Sequence, residues 1–243
     1  MPRARRTILS PWPFTRAVKI ILIVNAAVWL TTVVVGRWAG FTAPFEHLAL
    51  TPSRVLPGLE LWQPFTYMWL HAPNEVSHIL FNSLFLWMFG GTLEQGWGVR
   101  GFVKFYLLCG VGAGLVVFAA GTLFYPEAAT VGASGAIYGL VAAWVITDPN
   151  RVVWVFGLFP IKGKWFALLP IGYAALDFLI GGTATSHAAH LGGLAIGALL
   201  TTGLWRPSRL ASRIRLWRMR RRLKVLEGDG AGRKPPPPGG YWH

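Results

Sequence analysis

Gly132-Ala133-Ser134-Gly135-Ala136-Ile137-Tyr138-Gly139 opens an apolar run that continues to Thr147. A serine among small residues at the head of such a run carries two readings. Gly, Ala and Ser let helices in a membrane approach closely, so the stretch suits tight helix packing. The same serine would also stand at a positively polarised helix N-terminus, where backbone N–H groups can meet a developing oxyanion. The choice depends on what else the chain brings to the same depth.

The surrounding chain is built for lipid. Of its 243 residues, 53% are hydrophobic and only 13% charged, with a mean hydropathy of +0.47; soluble domains are typically about 25% charged. Apolar runs of spanning length are expected at about 18–35, 76–91, 101–124, 132–148, 165–181 and 186–204. Between the first two, residues 38–75 are too aromatic for a solvated loop and too interrupted by Pro44, Pro52, Pro57, Pro64 and Pro73 for one helix. A segment lying in the membrane interface fits, since Trp and Tyr favour that layer. Glu94, Gln95 and Arg100 mark a polar turn after the second run, and residues 152–164 are expected to skirt the interface. The basic start lacks a convincing cleavage site, so the first run reads as a span rather than a removable signal. The single cysteine, Cys109, lies in an apolar run, which leaves no internal disulfide and suggests a small buried hydrophobe.

Charge placement orients the spans. Arg3, Arg5, Arg6, Arg16 and Lys19 flank the first, Arg100 and Lys104 follow the second, and Arg151, Lys162 and Lys164 separate the fourth and fifth. With the eleven basic residues from Arg206 to Lys234, 21 of 23 fall on one side, leaving Arg37 and Arg54 on the other. Cytoplasmic loops carry the excess of Lys and Arg, so both termini are expected in the cytoplasm. The organisation is then a basic arm (1–17), a six-helix core (18–205) and a basic tail (206–243) ending in a disordered Pro-rich stretch. Leu216, Met219, Leu223 and Leu226 recur at helical spacing in the tail. That pattern suits an interfacial helix on anionic lipid headgroups, a partner already adjacent, better than nucleic acid.

With this topology, spans two, four and six all run inward from the outer face. Their polar residues fall in the first turns: His78 and Asn82, then Ser134, then His187 and His190. At 1.5 Å per residue, each lies within roughly 10 Å of the outer end of its helix. Polar groups at that depth should face a shared interior or a wet cavity, because hydrocarbon offers them no partner. His78 and Asn82 are four apart and share a helix face, as do Ser134 and Tyr138. Gly135 and Gly139 in span four, and Gly193 and Gly197 in span six, form stripes that would bring the two helices into contact. His190 would then reach Ser134 as general base, with Asn82 and His78 as candidate donors to an oxyanion. Each residue also has a structural reading: serine as a cap, histidine or asparagine as an interhelical hydrogen bond.

These motifs resemble those of the rhomboid intramembrane serine proteases over about residues 18–205. His78-Ile79-Leu80-Phe81-Asn82 matches H-x-x-x-N, Gly132-Ala133-Ser134-Gly135 matches G-x-S-G, and Ala189-His190-Leu191-Gly192-Gly193-Leu194-Ala195-Ile196-Gly197 matches A-H-x-x-G-x-x-x-G. The resemblance implies an all-α, polytopic six-transmembrane-helix bundle with an interfacial first outer loop. It implies Ser134 as nucleophile and His190 as general base. Asn82, His78 and the Ser134 backbone N–H would form the oxyanion hole, and Tyr138 would pack on the His190 ring. Gly132 belongs to the serine motif, while Gly135, Gly139, Gly193 and Gly197 support helix packing. Substrates would be transmembrane proteins, admitted laterally between spans two and five under a cap formed by the loop before span six.

The chain also departs from the family. Where Trp-Arg is common in the first outer loop it has Trp62-Gln63, and Tyr67 stands where a family histidine would fall, although His71 matches a second loop histidine. The stretch from His71 to His78 is slightly long. The expected function is endopeptidase cleavage in or beside a substrate's membrane span, in a bacterial cytoplasmic membrane. A catalytically silent relative that binds membrane clients is the alternative; a transporter is disfavoured by the lack of an inverted repeat. No H-E-x-x-H occurs, so neither metal nor cofactor is expected.

Overall fold

The computed structural model describes residues 12–56, 58–155, 159–179 and 184–204, together with Met219. Residues up to Thr202 form one unit. Residues 203–243 form a second, described only at Gly203, Leu204 and Met219. Most of the expected basic arm and tail therefore lie outside the described residues.

Helix α1 (Arg16–Trp38) is the expected first span, widening into π-type turns from Thr32. Its N-terminus is closed from another helix. The N–H groups of Ala17 and Val18 donate to the Glu94 carboxylate at 2.9 and 3.0 Å, and the Thr15 hydroxyl donates to it as well. A buried carboxylate on the first free N–H groups satisfies both partners and opposes the helix dipole. Glu94 thus belongs to the packed interior, whereas its sequence context suggested a polar turn.

Helix α5 (Val76–Phe85) continues through a π-type stretch (Leu86–Gly90) into α6 (Gly91–Phe124). The run Val76–Phe124 is, with Arg16–Trp38, long and apolar enough to cross a membrane. It is broken at Gly98, where φ is 73° and ψ 166°, a conformation that needs glycine. The break falls inside the polar stretch expected between spans two and three. Outward-facing apolar side chains on α1 (Ile23, Leu30) and α6 (Leu115, Leu123) are those of helices in lipid.

Between α1 and α5 the chain makes three short helices, α2 (Ala43–Leu48), α3 (Pro52–Val55) and α4 (Gln63–Thr66), the last running into a tight turn at Tyr67–Trp69. Each begins with a proline in its first turn, where a missing N–H costs nothing. The prolines therefore start helices here as well as interrupting a longer one. A short bridge between Leu50 and Thr130 ties this segment to the approach of α7 (Ser134–Thr147).

Helix α7 is the centre of the bundle. Every residue from Gly135 to Trp144 is buried, which only a helix surrounded by others can be. It packs against α6 and α10 (Ala184–Thr202), which also pack on each other. Trp144 at its far end donates to the Thr92 hydroxyl at 2.8 Å.

Residues 152–155 and 159–162, expected to skirt the interface, add a short ribbon to the otherwise helical fold. Val152–Val155 (β1) and Phe159–Lys162 (β2) pair antiparallel, with Val152 opposite Lys162. The Val-Val-Trp-Val run favours a strand, and Pro160 is tolerated because a two-stranded ribbon has free edges. Helices α8 (Gly163–Phe166) and α9 (Leu168–Leu179) occupy the place of the expected fifth span.

Candidate functional site

Ser134 is the first residue of α7, with Ala133 at the N-cap and no side chain closing the helix end. The turn before it is fixed by backbone contacts. Gly132 donates its N–H to the Tyr67 carbonyl at 3.0 Å and has φ 124°. A Cβ at Gly132 would lie 2.7 Å from His78 Nε2 and 3.9 Å from Asn82 Nδ2, so α5 stands directly against this turn. A side chain here would displace His78, and the backbone angle itself is open only to glycine.

His78 and Asn82 lie one turn apart on α5, as their spacing requires. Asn82 is buried and donates one amide hydrogen to the His78 carbonyl at 2.9 Å; its amide has a second. His78, Asn82, Ser134, Tyr138 and His190 line one small cavity of about 110 Å³. Glu75 also reaches its wall, a residue the sequence pattern did not single out.

His190, on α10, is 8% exposed and its Nδ1 has no hydrogen-bond partner among the described residues. The Tyr138 ring stacks on it, centroids 4.3 Å apart and planes 20° from parallel. The Tyr138 hydroxyl donates to the Pro170 carbonyl on α9, which prevents the ring from swinging away. Among the described residues no carboxylate forms an ion pair with His190.

The glycines explain how a histidine on α10 and a serine on α7 come to line one cavity. A Cβ on Gly193 would overlap the Gly135 carbonyl oxygen and stand 2.8 Å from its carbon. One on Gly197 would lie 2.5 Å from Gly139 Cα. A Cβ on Gly135 would lie 2.6 Å from Ala113 Cβ, and one on Gly139 would lie 2.5 Å from Cys109 Sγ, both on α6. Helix α7 is therefore clasped by α6 and α10.

Three features of the first outer segment were not legible as support for this site. Tyr67 is fully buried; its hydroxyl donates to the Gly110 carbonyl on α6 at 2.8 Å while its own carbonyl holds Gly132. Burial pushes its phenol pKa up. Gln63 is also fully buried: its side-chain oxygen accepts from Thr51 N–H at 2.8 Å and its amide donates to Glu60, which pairs with His47 at 2.7 Å. The side chain that departs from the family pattern thus makes a polar contact of its own. His71 is 1% exposed, makes no hydrogen bond to another side chain, and meets His78 edge-on at 5.2 Å. Burial, reinforced by neighbouring His78, pushes its pKa down to about 3.

A sequence model of the Rhomboid domain matches residues 58–207, more than half of the chain. The chain belongs to the rhomboid family. It is 34% identical over 154 residues to RHOMBOID-like protein 1 of Arabidopsis thaliana, covering 63% of this chain and 36% of that protein. RHOMBOID-like protein 6, mitochondrial, of the same plant is 33% identical over 154 residues, covering 63% and 46% respectively. Rhomboid protease GlpG of Haemophilus influenzae is 27% identical over 184 residues, covering 74% of this chain and 88% of that protein. The chain thus aligns with under half the length of the two plant relatives and with nearly all of the bacterial one. Membership makes this rhomboid a membrane protein, in keeping with its long apolar helices. The matched region begins before α4 and includes α5, α7 and α10, the three helices that line the cavity.

Proposed function

We propose that this rhomboid is an intramembrane serine endopeptidase, cutting transmembrane protein substrates in or beside their spans. The observation that carries this reading is the cavity shared by Ser134 and His190, with Tyr138 stacked on the imidazole. In the proposed reaction, an imidazole nitrogen of His190 takes the Ser134 hydroxyl proton as the oxygen attacks the scissile carbonyl. The tetrahedral oxyanion is met by the Ser134 backbone N–H, the second amide hydrogen of Asn82 and His78. Collapse expels the amine, which receives the proton from His190, and leaves an acyl-Ser134. Water, deprotonated by His190, then hydrolyses the ester. The stacked Tyr138 ring supplies the orientation that a carboxylate supplies in a triad.

The same reading has six spans within residues 18–205, an interfacial first outer segment and both termini in the cytoplasm. Exposed Trp38, Phe41, Leu59, Leu61 and Trp62 support the interfacial placement. The arm (1–17) and tail (206–243) would flank this core, the tail on anionic headgroups, in a bacterial cytoplasmic membrane.

Labelling with a fluorophosphonate tests the reading directly. The wild type is expected to be labelled at Ser134 and to cleave a model membrane substrate. Ser134→Ala and His190→Ala should each lose both activities while keeping their thermal transition. Cleavage at the wild-type rate by either variant overturns the dyad. A folded wild type that neither labels nor cuts would instead be a client-binding relative.

A further inference from the structure

A second cavity, of about 530 Å³, lies beside the first. Its size is within the range of about 300–1,000 Å³ typical of small-ligand sites. It is formed by the end of α1, the first outer segment and the strand of chain leading to α7, and four charged side chains line it: Arg37, Arg54, Glu46 and Glu127. Among the described residues the ion pair is His47–Glu60, so none of these four contacts an opposite charge. Glu46 and Glu127 accept instead from the hydroxyls of Thr42 and Ser53, at 2.8 and 3.0 Å. A hydroxyl bond leaves the carboxylate charge in place.

His71 is the second observation. It lines this cavity while buried, and neither ring nitrogen bonds another side chain. A polar occupant completes the hydrogen bonding of a buried imidazole. Trp38 and Phe41, 74% and 60% exposed, follow Arg37 closely in the chain, the side-chain chemistry of the headgroup layer.

Two guanidiniums and two carboxylates in one cavity complement a molecule carrying both an anion and an N–H cation. We propose that this cavity binds the headgroup of a zwitterionic aminophospholipid, with the phosphate on Arg37 and Arg54 and the primary ammonium on Glu46 and Glu127. The guanidinium fork matches phosphate oxygens in pairs. A primary ammonium donates three hydrogen bonds to carboxylates, which a quaternary choline nitrogen cannot. A phosphoglycerol headgroup satisfies only the arginines. The order of preference is therefore phosphoethanolamine over both phosphocholine and phosphoglycerol. Val131 lines both cavities and His71 touches His78, so the lipid would sit against a wall of the Ser134 cavity. The site does not depend on proteolysis.

The test uses the full chain reconstituted in phosphatidylcholine vesicles with equal minor fractions of phosphatidylethanolamine and phosphatidylglycerol. After gentle extraction, retained lipid is counted by native mass spectrometry. Wild type is expected to retain phosphatidylethanolamine about 10-fold over either competitor, after correction for abundance. Arg37→Gln with Arg54→Gln should lower that retention to the phosphatidylcholine level. Glu127→Gln, which removes a carboxylate and keeps both arginines, should raise phosphatidylglycerol relative to phosphatidylethanolamine. Equal retention of the ethanolamine and choline lipids by wild type overturns the proposal, as does a glutamate variant with an unchanged ratio. Displacement by soluble glycerophosphoethanolamine at the concentration of the lipid would reassign the site to a free phosphate ester; displacement only by an acidic peptide would reassign it to substrate.

Discussion

Between α7 and α10 the helices touch backbone to backbone, whereas on α6 the glycines receive side chains. Gly193 and Gly197 face the Gly135 and Gly139 backbones, leaving no atom that could rotate aside. Gly110, Gly114 and Gly121 on α6 instead face Met68, Tyr67 with the Pro64 carbonyl, and the Pro52 ring. The first contact brings α10, which carries His190, against α7, which begins at Ser134. The second seats the outer segment that carries Tyr67 and, through it, Gly132. One site is thus held by two kinds of close approach, one rigid and one with some compliance.

The rigid contact should break hardest. Gly193→Ala puts a methyl group into the Gly135 carbonyl, and only separation of α7 from α10 can relieve it. The expected loss is at or above the upper end of the about 1–3 kcal/mol usual for overpacking. Loss of fluorophosphonate labelling should accompany a large fall in Tm in detergent. A variant with wild-type labelling and Tm would show that the seam does not set the geometry of the proposed dyad.

The two regions were unequally legible. Span-forming runs, the His78/Asn82 face and both glycine stripes of the α7–α10 seam follow from spacing, because helical periodicity alone brings i and i+4 together. The α6 seat was hidden: Gly110, Gly114 and Gly121 are visible in the sequence, but nothing local says that Met68, Tyr67 or Pro52 fills them. Glu94 was hidden for the same reason, since its partners are 76–79 residues away. The pairing of 152–155 with 159–162 was lost to its position between apolar runs, although its β-branched run was there to read. Tyr67 and Gln63 looked like departures because a motif comparison registers a changed residue type and not the hydrogen bond that the new side chain makes.

The seat ends at His71, and pH probes that end. An unfolded histidine titrates at about 6.5, whereas buried His71 titrates at about 3. Between those values the unfolded chain binds a proton that the folded chain does not. Stability should therefore fall as pH drops from about 6.5, by up to about 1.4 kcal/mol per pH unit, and level off below about 3. His71→Phe removes this group, so its Tm should decline less steeply over the same range. Parallel Tm–pH curves for the two proteins would remove His71 from the acid response.

Tyr67→Phe is a gentler cut into the same seat. It deletes the hydroxyl bond to the Gly110 carbonyl and leaves the backbone bond to Gly132. A typical net loss is about 1 kcal/mol. Because the Ser134 turn is held less firmly, kcat on a model substrate should fall several-fold with little change in KM. A change confined to KM would place Tyr67 in substrate binding instead.

Gly110→Ala should have the smallest effect, and its size decides whether compliance distinguishes the two contacts. The new methyl would meet the Met68 thioether, with Sδ at 2.6 Å and the terminal Cε against it. Methionine has three rotatable bonds beyond Cα and refills space at little cost. Overpacking of about 1 kcal/mol, the low end of the usual range, is then opposed by about 1 kcal/mol from replacing glycine in a helix interior. The two nearly cancel, so Tm should move by only a degree or two. Gly193→Ala gains the same helix preference but has no flexible partner to give way. If the two variants lose similar stability, side-chain compliance is not what separates them, and α6 must hold the outer segment as rigidly as α10 holds α7.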